Sequence, residues 1–399
     1  MAKDMTSGKP IKLIWNFTIP LLIGNLFQQL YNMADTFIVG RTIGVHALAS
    51  VGSTGSIIFL ILGFANGLTA GLAIPLAQRY GAKNYSGVKR SFYVSILISA
   101  VVAILLTILS MVFCRQILEV MQTPAEIIDG AYDYLMVIFA GIFSSMAFNL
   151  LSNIFRSIGD AKTPLYFLVI ACIMNIVLDV VFIAGFGTGV EGAGYATVLS
   201  QIFSALACIL YIWKKIPILR LNSKDFVAES SDVREHVRIS FPMAFQSSII
   251  AIGAIIIQIT LNQLGATAVA AYTAAQKIDQ VAILPMMSFG VTMATFVAQN
   301  YGAKKYDRIW RGVRDCIKLS LTFAISVGIL NLFSPIFIRA FVGVGHEEVV
   351  ELGAIYFITN GTMYSLLSLL FIYRYTLQGV GKTFTPTVAG IMELCMRAF

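Results

Sequence analysis

The chain has 399 residues, of which 58% are hydrophobic and only 12% are charged, with a net charge of +8 and a mean hydropathy of +0.82. Soluble domains carry roughly a quarter charged residues, so this chain has about half the usual supply for a water-exposed surface. The composition excludes an ordinary soluble protein and predicts one that lies in a lipid bilayer.

Hydrophobic blocks follow one another along the whole chain, and most reach the ~20 residues that a helix needs to span a bilayer. They lie near residues 13–35, 48–76, 92–113, 132–152, 165–186, 193–213, 240–261, 265–298, 317–341, 352–373 and 384–399. We predict ten complete spans and part of an eleventh, and therefore an all-α polytopic membrane protein. The polar first ten residues lead into no small-residue cleavage site, so we expect no removable signal peptide.

Lysine and arginine concentrate in alternate loops. If the N-terminus lies inside the cell, the inside loops contain the basic clusters at 79–90, 214–238 and 304–318. The outside loops contain little beyond Arg41, Arg115 and Arg339. This is the positive-inside pattern of multi-pass proteins. It predicts a chain in the cell membrane with a cytoplasmic N-terminus. Because topology accounts for the basic excess, we expect no nucleic-acid partner.

The sequence is doubled. AQRYGAKNY at 77–85 returns as AQNYGAKKY at 298–306, an offset of 221 residues (298 − 77). GDAKTP at 159–164 returns as GKTFTP at 381–386, and Pro20 matches Pro242, both at an offset of 222 (381 − 159; 242 − 20). An even number of spans separates the copies, so the halves are parallel repeats, as in transporters whose two bundles surround a central cavity.

These offsets define the domains that we predict. Residues 1–220 form an N-lobe with helices 1–6, residues 221–240 form a cytoplasmic linker, and residues 241–399 form a C-lobe. Blocks five and six would have counterparts near 387–408 and 415–435. We therefore expect the C-lobe to contain helices 7–10 and part of helix 11, and the second six-helix repeat to be incomplete.

The first predicted helix carries a polar stripe of Asn25, Gln28, Asn32 and Asp35 at positions i, i+3, i+7 and i+10. An ionisable residue inside a span is costly and usually faces a cavity. Asp35 is therefore a candidate site residue. The alternative is that Asp35 lies at the membrane surface, which would leave the stripe unexplained.

The fifth block contains Asn175 and Asp179 one helical turn apart, and Thr197 follows on the next helix after a short glycine-rich hairpin. The hairpin places Thr197 at the depth of Asp179. Two carboxylates, an amide oxygen and a hydroxyl suit Na⁺, and burial of one carboxyl group would equally suit a proton. The alternative is a hydrogen-bonded polar cluster that only holds the helices together.

The second half offers no counterpart to Asp35. Lys277 and Asp279 lie within the eighth block, and Lys277 is either a charge in the cavity or a residue that pairs with an acid or extends to the membrane surface. No GxxxxGK[ST] loop is present, so ATP does not drive this chain directly. Soluble-enzyme motifs are absent as well, so we expect neither an enzyme nor a cofactor.

Several longer phrases resemble a known family: PLLIGNLFQQLYNMADTFIVG, GLAIPLAQRYGA, RSIGDAKTP, NIVLD and AQNYGAKKY. They resemble the multidrug and toxic compound extrusion (MATE) family, most closely its DinF-like branch, from about Ile11 to the last residue. The resemblance implies a two-lobed antiporter of twelve helices that exports organic, often cationic, drugs in exchange for Na⁺ or H⁺. We expect a monomer whose partners are small organic substrates, the coupling ion and membrane lipid.

Matched motif by motif, the resemblance implies a coupling-ion site, with Na⁺ as the candidate metal, made of Asp35, Asn175, Asp179 and Thr197. It also implies that Tyr134 and Asn153 neighbour the cavity. We expect further polar residues to neighbour it as well: Gln28, Tyr31, Asn32, Gln246 and Lys277. A second branch of the family, NorM-like, uses acidic residues in helices seven and ten. This chain has Gln246, Gln258 and Asn360 in those stretches, so we do not expect a cation site in the C-lobe.

Two other functions compete. A lipid-linked oligosaccharide flippase of the same superfamily would line its cavity with several arginines and lysines, but only Lys277 and Arg374 qualify here. A channel or membrane-embedded enzyme would need a pore filter or a catalytic constellation, and the sequence contains neither.

Overall fold

The computed structural model describes residues 4–222, 225–263, 266–342 and 347–398. All regular elements in these ranges are helices, which confirms the all-α class. In chain order they are α1 (Pro10–Thr42), α2 (Val45–Ser53), α3 (Gly55–Gly81), α4 (Tyr85–Val112), α5 (Cys114–Val120), α6 (Ile128–Ala140), α7 (Ile142–Ser157), α8 (Lys162–Asp179), α9 (Gly189–Lys215), α10 (Ser230–Gln263), α11 (Ala266–Gly302), α12 (Tyr306–Leu330), α13 (Ser334–Val342), α14 (Glu347–Val380) and α15 (Phe384–Ala398). A π-helix, Val180–Gly185, continues α8.

Eight of the described helices are long and apolar enough to span a membrane, or nine if α6 and α7, which meet at a 48° bend, form one span. The sequence predicts ten complete spans. The ninth, near residues 317–341, is not among these helices, because Arg314, Asp315 and Lys318 interrupt the apolar stretch of α12. α15 is 15 residues long and corresponds to the part of an eleventh span that the sequence predicts.

The linker packs closely against the first half. Asp225 accepts hydrogen bonds from the Asn222 backbone N–H (2.8 Å) and from Lys89 Nζ (3.1 Å), and these two contacts lower the pKa of Asp225. Arg79, in the first AQxYGAKxY copy, donates to Asp232 (2.6 Å) and Glu235 (2.7 Å). These ion pairs attach the first turns of α10 to α3. α10 begins at Ser230, within the range 221–240 that the sequence assigns to the linker.

The repeat extends to the backbone. Lys83 and Lys304, which occupy equivalent positions in the two AQxYGAKxY copies, have φ values of 59° and 57°. Gly159 and Gly381, equivalent in the second repeated phrase, have φ values of 85° and 88°. A non-glycine residue rarely has positive φ, so the same unusual turn has been built twice. We call the end of the bundle with these turns the motif end.

The two motif helices, α3 and α11, approach each other so closely that each requires a glycine. A Cβ atom on Gly81 would lie 1.9 Å from the Gln299 carbonyl oxygen, and one on Gly302 would lie 1.8 Å from the Gln78 carbonyl oxygen. Gly81 and Gly302 are equivalent in the repeat, as are Gln78 and Gln299. Such reciprocal contacts are the signature of a two-fold axis. The pseudo-two-fold axis of the protein therefore passes between these helices.

The same two glutamines bind across the axis. Gln78 Nε2 donates to the Gly379 carbonyl oxygen (2.9 Å), and Gln299 Nε2 donates to the Ser157 carbonyl oxygen (2.7 Å). Ser157 and Gly379 are themselves equivalent, at an offset of 222. We call these two hydrogen bonds the glutamine latch. The latch joins the first half to the second and closes the motif end.

The N-terminal segment reinforces this closure. Met5 is buried, and its backbone N–H donates to Gln299 Oε1 (2.9 Å). Its carbonyl oxygen accepts from Asn300 Nδ2 (3.1 Å), and Arg308 Nη1 donates to the Gly8 carbonyl oxygen (2.7 Å). Residues 4–9 thus lie across the motif end and bind the second copy of the repeated phrase.

Away from the motif end, the halves meet along two equivalent helix pairs. In the α3–α10 pair, a Cβ atom on Gly67 would lie 2.4 Å from the Met243 carbonyl oxygen. In the α1–α11 pair, side chains meet instead, because Thr18 Oγ1 lies 2.8 Å from Thr292 Oγ1. Asn25 also donates to Ser288 Oγ, at 3.1 Å.

Further along α1, toward the opposite end, apolar side chains are exposed. Leu30 is 52% exposed, Met33 59% and Phe37 71%. The halves are thus joined from the motif end to about the middle of α1, and the apolar face beyond that point is uncovered.

The parallel repeat predicts the sidedness of the motif end. Lys83→Cys and Lys304→Cys, introduced singly into a chain that carries Cys395→Ser to remove the exposed native cysteine, should react with a membrane-impermeant maleimide from the same side of the bilayer. Labelling from opposite sides would contradict the arrangement of the halves.

Candidate functional site

The four residues predicted to bind the coupling ion come from α1, α8 and α9. Asp35 is 8% exposed, Asn175 1% and Asp179 0%. The carboxyl groups of Asp35 and Asp179 lie within hydrogen-bonding reach of each other. Thr197 Oγ1 accepts from Asn175 Nδ2 (3.4 Å) and lies 3.0 Å from the Tyr31 hydroxyl. We call Asp35, Asn175, Asp179 and Thr197 the carboxylate cluster.

Most oxygen atoms of this cluster have no donor among the described residues. Asp35 Oδ1, Asn175 Oδ1 and both carboxylate oxygens of Asp179 are buried without a hydrogen-bond partner. Buried acceptors are expensive unless they are satisfied, and two adjacent carboxylates repel each other. A proton shared between the carboxyl groups, or a cation held by the oxygens, relieves both costs.

The oxygen atoms that this cluster could offer as ligands favour a monovalent ion over a divalent metal. Hard cations prefer oxygen ligands, and the cluster offers carboxylate, amide and hydroxyl oxygens. The described ranges contain no group of three or more His, Cys, Asp and Glu side chains that could hold a metal ion. Two carboxylates with neutral oxygens fit Na⁺ or a proton.

An irregular segment follows the cluster. α8 ends at Asp179, and the chain continues as the π-helix Val180–Gly185. The hairpin that leads into α9 uses positive φ at Gly187 (66°) and Gly189 (63°), and Thr188 Oγ1 donates to the Phe182 carbonyl oxygen (2.9 Å). π-Helices are rare and often occur at functional sites. This one starts directly after Asp179, and no sequence signal pointed to it.

Tyr134 and Asn153 lie on two further helices of the first half, α6 and α7. Tyr134, on α6, is buried with Val39 and Ile183 in an apolar cluster beside the end of α1. Asn153, on α7, donates to Thr69 Oγ1 (3.3 Å) and accepts from Arg156 Nη1 (3.2 Å).

A cavity of about 90 Å³ lies inside the first half, between α1, α7, α8 and α9. Gln28 and Tyr31 line it, whereas Asn32 is exposed and not part of its wall. The wall contains polar residues to which the sequence analysis assigned no role: Asn149, Ser152, Arg156, Ser200, Gln201 and Ser204. On α7 their spacing of i, i+3 and i+7 was visible in the sequence.

The second-half residues predicted to neighbour the cavity lie elsewhere. Gln246 is buried, donates to the Pro386 carbonyl oxygen (2.9 Å) and accepts from Gln378 Nε2 (2.9 Å). It therefore connects α10 with α14 and the start of α15. Lys277 is exposed and forms no ion pair with any described residue.

Two buried charged groups of the second half are satisfied by their neighbours. Asp279 accepts hydrogen bonds from the hydroxyl groups of Tyr356 and Tyr364 on α14. Arg374 pairs with Glu393 on α15 (3.3 Å). Because Glu393 compensates Arg374, Arg374 is not a free basic group that could bind an anionic substrate.

Comparisons with known proteins agree with this architecture. The MatE family model matches residues 20–181 and 242–398. The second matched segment begins at Pro242, the residue that the repeat pairs with Pro20. The family pattern therefore occurs twice in the chain, once in each half.

Two relatives come from Bacillus subtilis (strain 168). The probable multidrug resistance protein YoeA is 27% identical over 405 residues, covering 98% of this chain and 86% of the relative. The probable multidrug resistance protein YpnP is 29% identical over 316 residues, covering 77% of this chain and 69% of the relative. An outward-facing multidrug resistance MATE family transporter of the MOP superfamily has a similar structure, with a TM-score of 0.92, 24% identity, and coverage of 98% of this chain and 87% of that one.

The structural match confirms the two-lobed, all-helical fold, and the family match covers most of both halves. The relatives are transporters and not enzymes. The chain is therefore a multi-pass membrane transporter that belongs to the MatE family.

Proposed function

We propose that the chain is a secondary active antiporter of the cell membrane that exports organic compounds in exchange for Na⁺ or H⁺, with the carboxylate cluster as the coupling site. The observation that carries this proposal is the contact between Asp35 and Asp179, whose buried oxygens lack donors among the described residues. A group that alternately takes up and releases a cation must be costly to leave charged and empty. This pair meets that requirement.

The arrangement of the halves supports alternating access. The glutamine latch and the N-terminal segment close the motif end, while α1 exposes apolar side chains further along. An antiporter needs this state and a second one in which the motif end opens. The basic loops next to both AQxYGAKxY copies support a cytoplasmic motif end.

The relatives support the class of substrate. YoeA and YpnP are described as probable multidrug resistance proteins, which suits export of varied organic molecules. The oligosaccharide flippase is not favoured, because Glu393 neutralises Arg374, which leaves only Lys277 unpaired of the two candidate basic residues of its cavity. We further propose that the chain works as a monomer of the DinF-like branch, since both halves of the pseudo-two-fold are present in one chain.

Gradient-driven transport tests the proposal. The purified chain, reconstituted into liposomes loaded with a fluorescent dye, should move the dye when an inward gradient of Na⁺ or of protons is imposed, and not when neither gradient is present. The ion whose gradient drives movement identifies the coupling ion. Dye movement at the same rate with and without both gradients would contradict antiport.

A further inference from the structure

A groove of about 470 Å³ runs between α4, α7 and α9. It is separate from the polar cavity of the first half, because α7 lies between the two. Asn149 and Ser152 line the cavity, whereas Met146 and Leu150 line the groove. Nearly all the groove wall is apolar, so the groove suits an apolar occupant.

The length of the groove matches one leaflet of a bilayer. On α4 it reaches from Phe92 to Ala103, which is about 16 Å along the helix axis. The hydrocarbon core is ~30 Å thick, so one leaflet takes up about half of it. The small side chains of Ala100, Ala103 and Ala147 leave room for a chain between the helices. Because α4 starts at the motif end, the groove lies in the leaflet on that side.

An arginine lies at the end of the groove. A 3₁₀-helix, Pro217–Leu219, packs against α4 and α9, and Leu219 is buried in the core of the first half. Arg220 follows directly and lines the groove. Its one hydrogen bond to a described residue runs from Nη2 to the Lys214 carbonyl oxygen (3.1 Å). A guanidinium group has five N–H donors, so Arg220 can still bind an anion.

The charge around this end of the groove is positive. Lys214 and Lys215 are exposed in the last turn of α9, and neither they nor Arg220 form an ion pair with a described residue. The neighbouring Lys89, by contrast, pairs with Asp225. No acidic residue lines the groove. Topology accounts for basic residues at this end of the bundle, but not for an unpaired arginine in the wall of an apolar groove.

We propose that this groove binds an anionic phospholipid of the leaflet next to the motif end, with an acyl chain between α4, α7 and α9 and the phosphate on Arg220. Arginine suits this role because its planar guanidinium group donates two parallel hydrogen bonds to a phosphate. Lys214 and Lys215 add to the attraction of an anionic head group. The inference goes beyond the proposed transport function and does not depend on it.

Trp213 is a natural reporter for this site, because it lines the groove and is 65% exposed. The chain contains three tryptophans, so Trp15→Phe with Trp310→Phe leaves Trp213 alone. The full chain is placed in liposomes of phosphatidylcholine and phosphatidylglycerol, either of them brominated on its acyl chains to quench tryptophan fluorescence. Quenching of Trp213 should show at least about fivefold preference for phosphatidylglycerol, since one arginine near an anionic head group is worth about that factor. Arg220→Gln should lower this preference about fivefold, and Arg220→Lys should retain most of it.

A chain in which Trp310 is the only tryptophan is the matched control. Trp310 is also exposed, and Arg314 Nε donates to its carbonyl oxygen (3.4 Å), but it lies on α12 of the second half. Its preference for phosphatidylglycerol should be clearly weaker than that of Trp213. Ala100→Phe fills the groove without removing a basic residue, and it should reduce the preference at Trp213 to that at Trp310.

Three results would overturn the inference. Equal preferences at Trp213 and Trp310 would show that the basic surface attracts anionic lipid without a specific site. An unchanged preference in Arg220→Gln would exclude Arg220 as the head-group anchor. No quenching of Trp213 by either lipid would show that another occupant, such as a second copy of the chain, covers the groove. The measurement uses neither an ion gradient nor a drug, so its failure is distinguishable from failure of coupled transport.

Discussion

Asp179→Asn and Asp35→Asn are each expected to abolish cation-coupled export. Each change removes one of two charges that hold the cation, while the side-chain volume stays almost the same. Loss of an outer neighbour of a metal site typically weakens binding 10–100-fold, so loss of a direct ligand should exceed about 100-fold. Both variants should still fold and insert, because an amide in place of a carboxylate also removes the repulsion between the two side chains.

Asp279→Asn is the matched control for these variants. Asp279 is likewise a buried membrane aspartate, but it lies in the second half, where Tyr356 and Tyr364 each donate to one of its carboxylate oxygens. In the variant, the amide oxygen can accept from one tyrosine, and the amide nitrogen can donate to the hydroxyl oxygen of the other. Gradient-driven dye export from liposomes should persist in Asp279→Asn and vanish in the other two. Near-normal export by Asp35→Asn or Asp179→Asn would show that the substituted residue has a structural role and does not bind the coupling ion. Loss in Asp279→Asn alone would move coupling to the second half.

Gly81→Ala is expected to open the motif end. The added Cβ atom would lie 1.9 Å from the Gln299 carbonyl oxygen, a backbone atom that cannot move aside without separating α3 from α11. Overpacking of this kind costs roughly 1–3 kcal/mol, and each 1.4 kcal/mol is a tenfold change in an equilibrium. The closed motif end should therefore become about 10–100-fold less favoured, and export should fall because one state of the cycle is depleted.

Spin labels at Lys83→Cys and Lys304→Cys, in a chain with Cys395→Ser, report this opening as a distance distribution. With Gly81 unchanged, the two labels should lie mainly at a short distance from each other, as in the closed motif end. In Gly81→Ala the distance between the labels should be mainly longer. Gly55→Ala is the control on the same helix, because nothing lies within 4 Å of a Cβ atom at Gly55. Unchanged distances in Gly81→Ala would show that the close contact does not determine the state of the motif end.

The doubling of the chain could be predicted because the repeated phrases are visible in the amino-acid sequence. Two copies of AQxYGAKxY fix the offset, and hydropathy fixes the class of fold. The contacts that the repeat makes across the pseudo-two-fold could not be predicted. Gln78 and Gln299 are ordinary polar residues in the sequence, and only the packing of α3 on α11 brings each to a carbonyl of the other half. Of the ten complete spans that hydropathy predicts, the ninth is not among the described helices that are long and apolar enough, because Arg314, Asp315 and Lys318 lie in α12.

Much of the candidate site followed from helical spacing. Asp35 is the last residue of a polar stripe on one face of α1. Asn175 and Asp179 lie one helical turn apart, so they share a face of α8. The position of Arg156 in the cavity wall was not predictable, since an arginine just before a glycine turn is typical of a loop. Whether such a residue faces a loop or a cavity depends on how α7 packs against α1 and α9. The π-helix after Asp179 was not predictable either, because nothing in the composition of this segment indicates it.

The most direct test of the central claim is to follow the cation and the dye in the same vesicles. Liposomes that contain the chain, the dye and an internal indicator for Na⁺ or pH should show cation entry and dye exit together after a gradient is imposed. In Asp179→Asn both fluxes should disappear, and in Asp279→Asn both should remain. Dye exit without cation entry in the unmodified chain, or an undiminished pair of fluxes in Asp179→Asn, would contradict coupling at the carboxylate cluster.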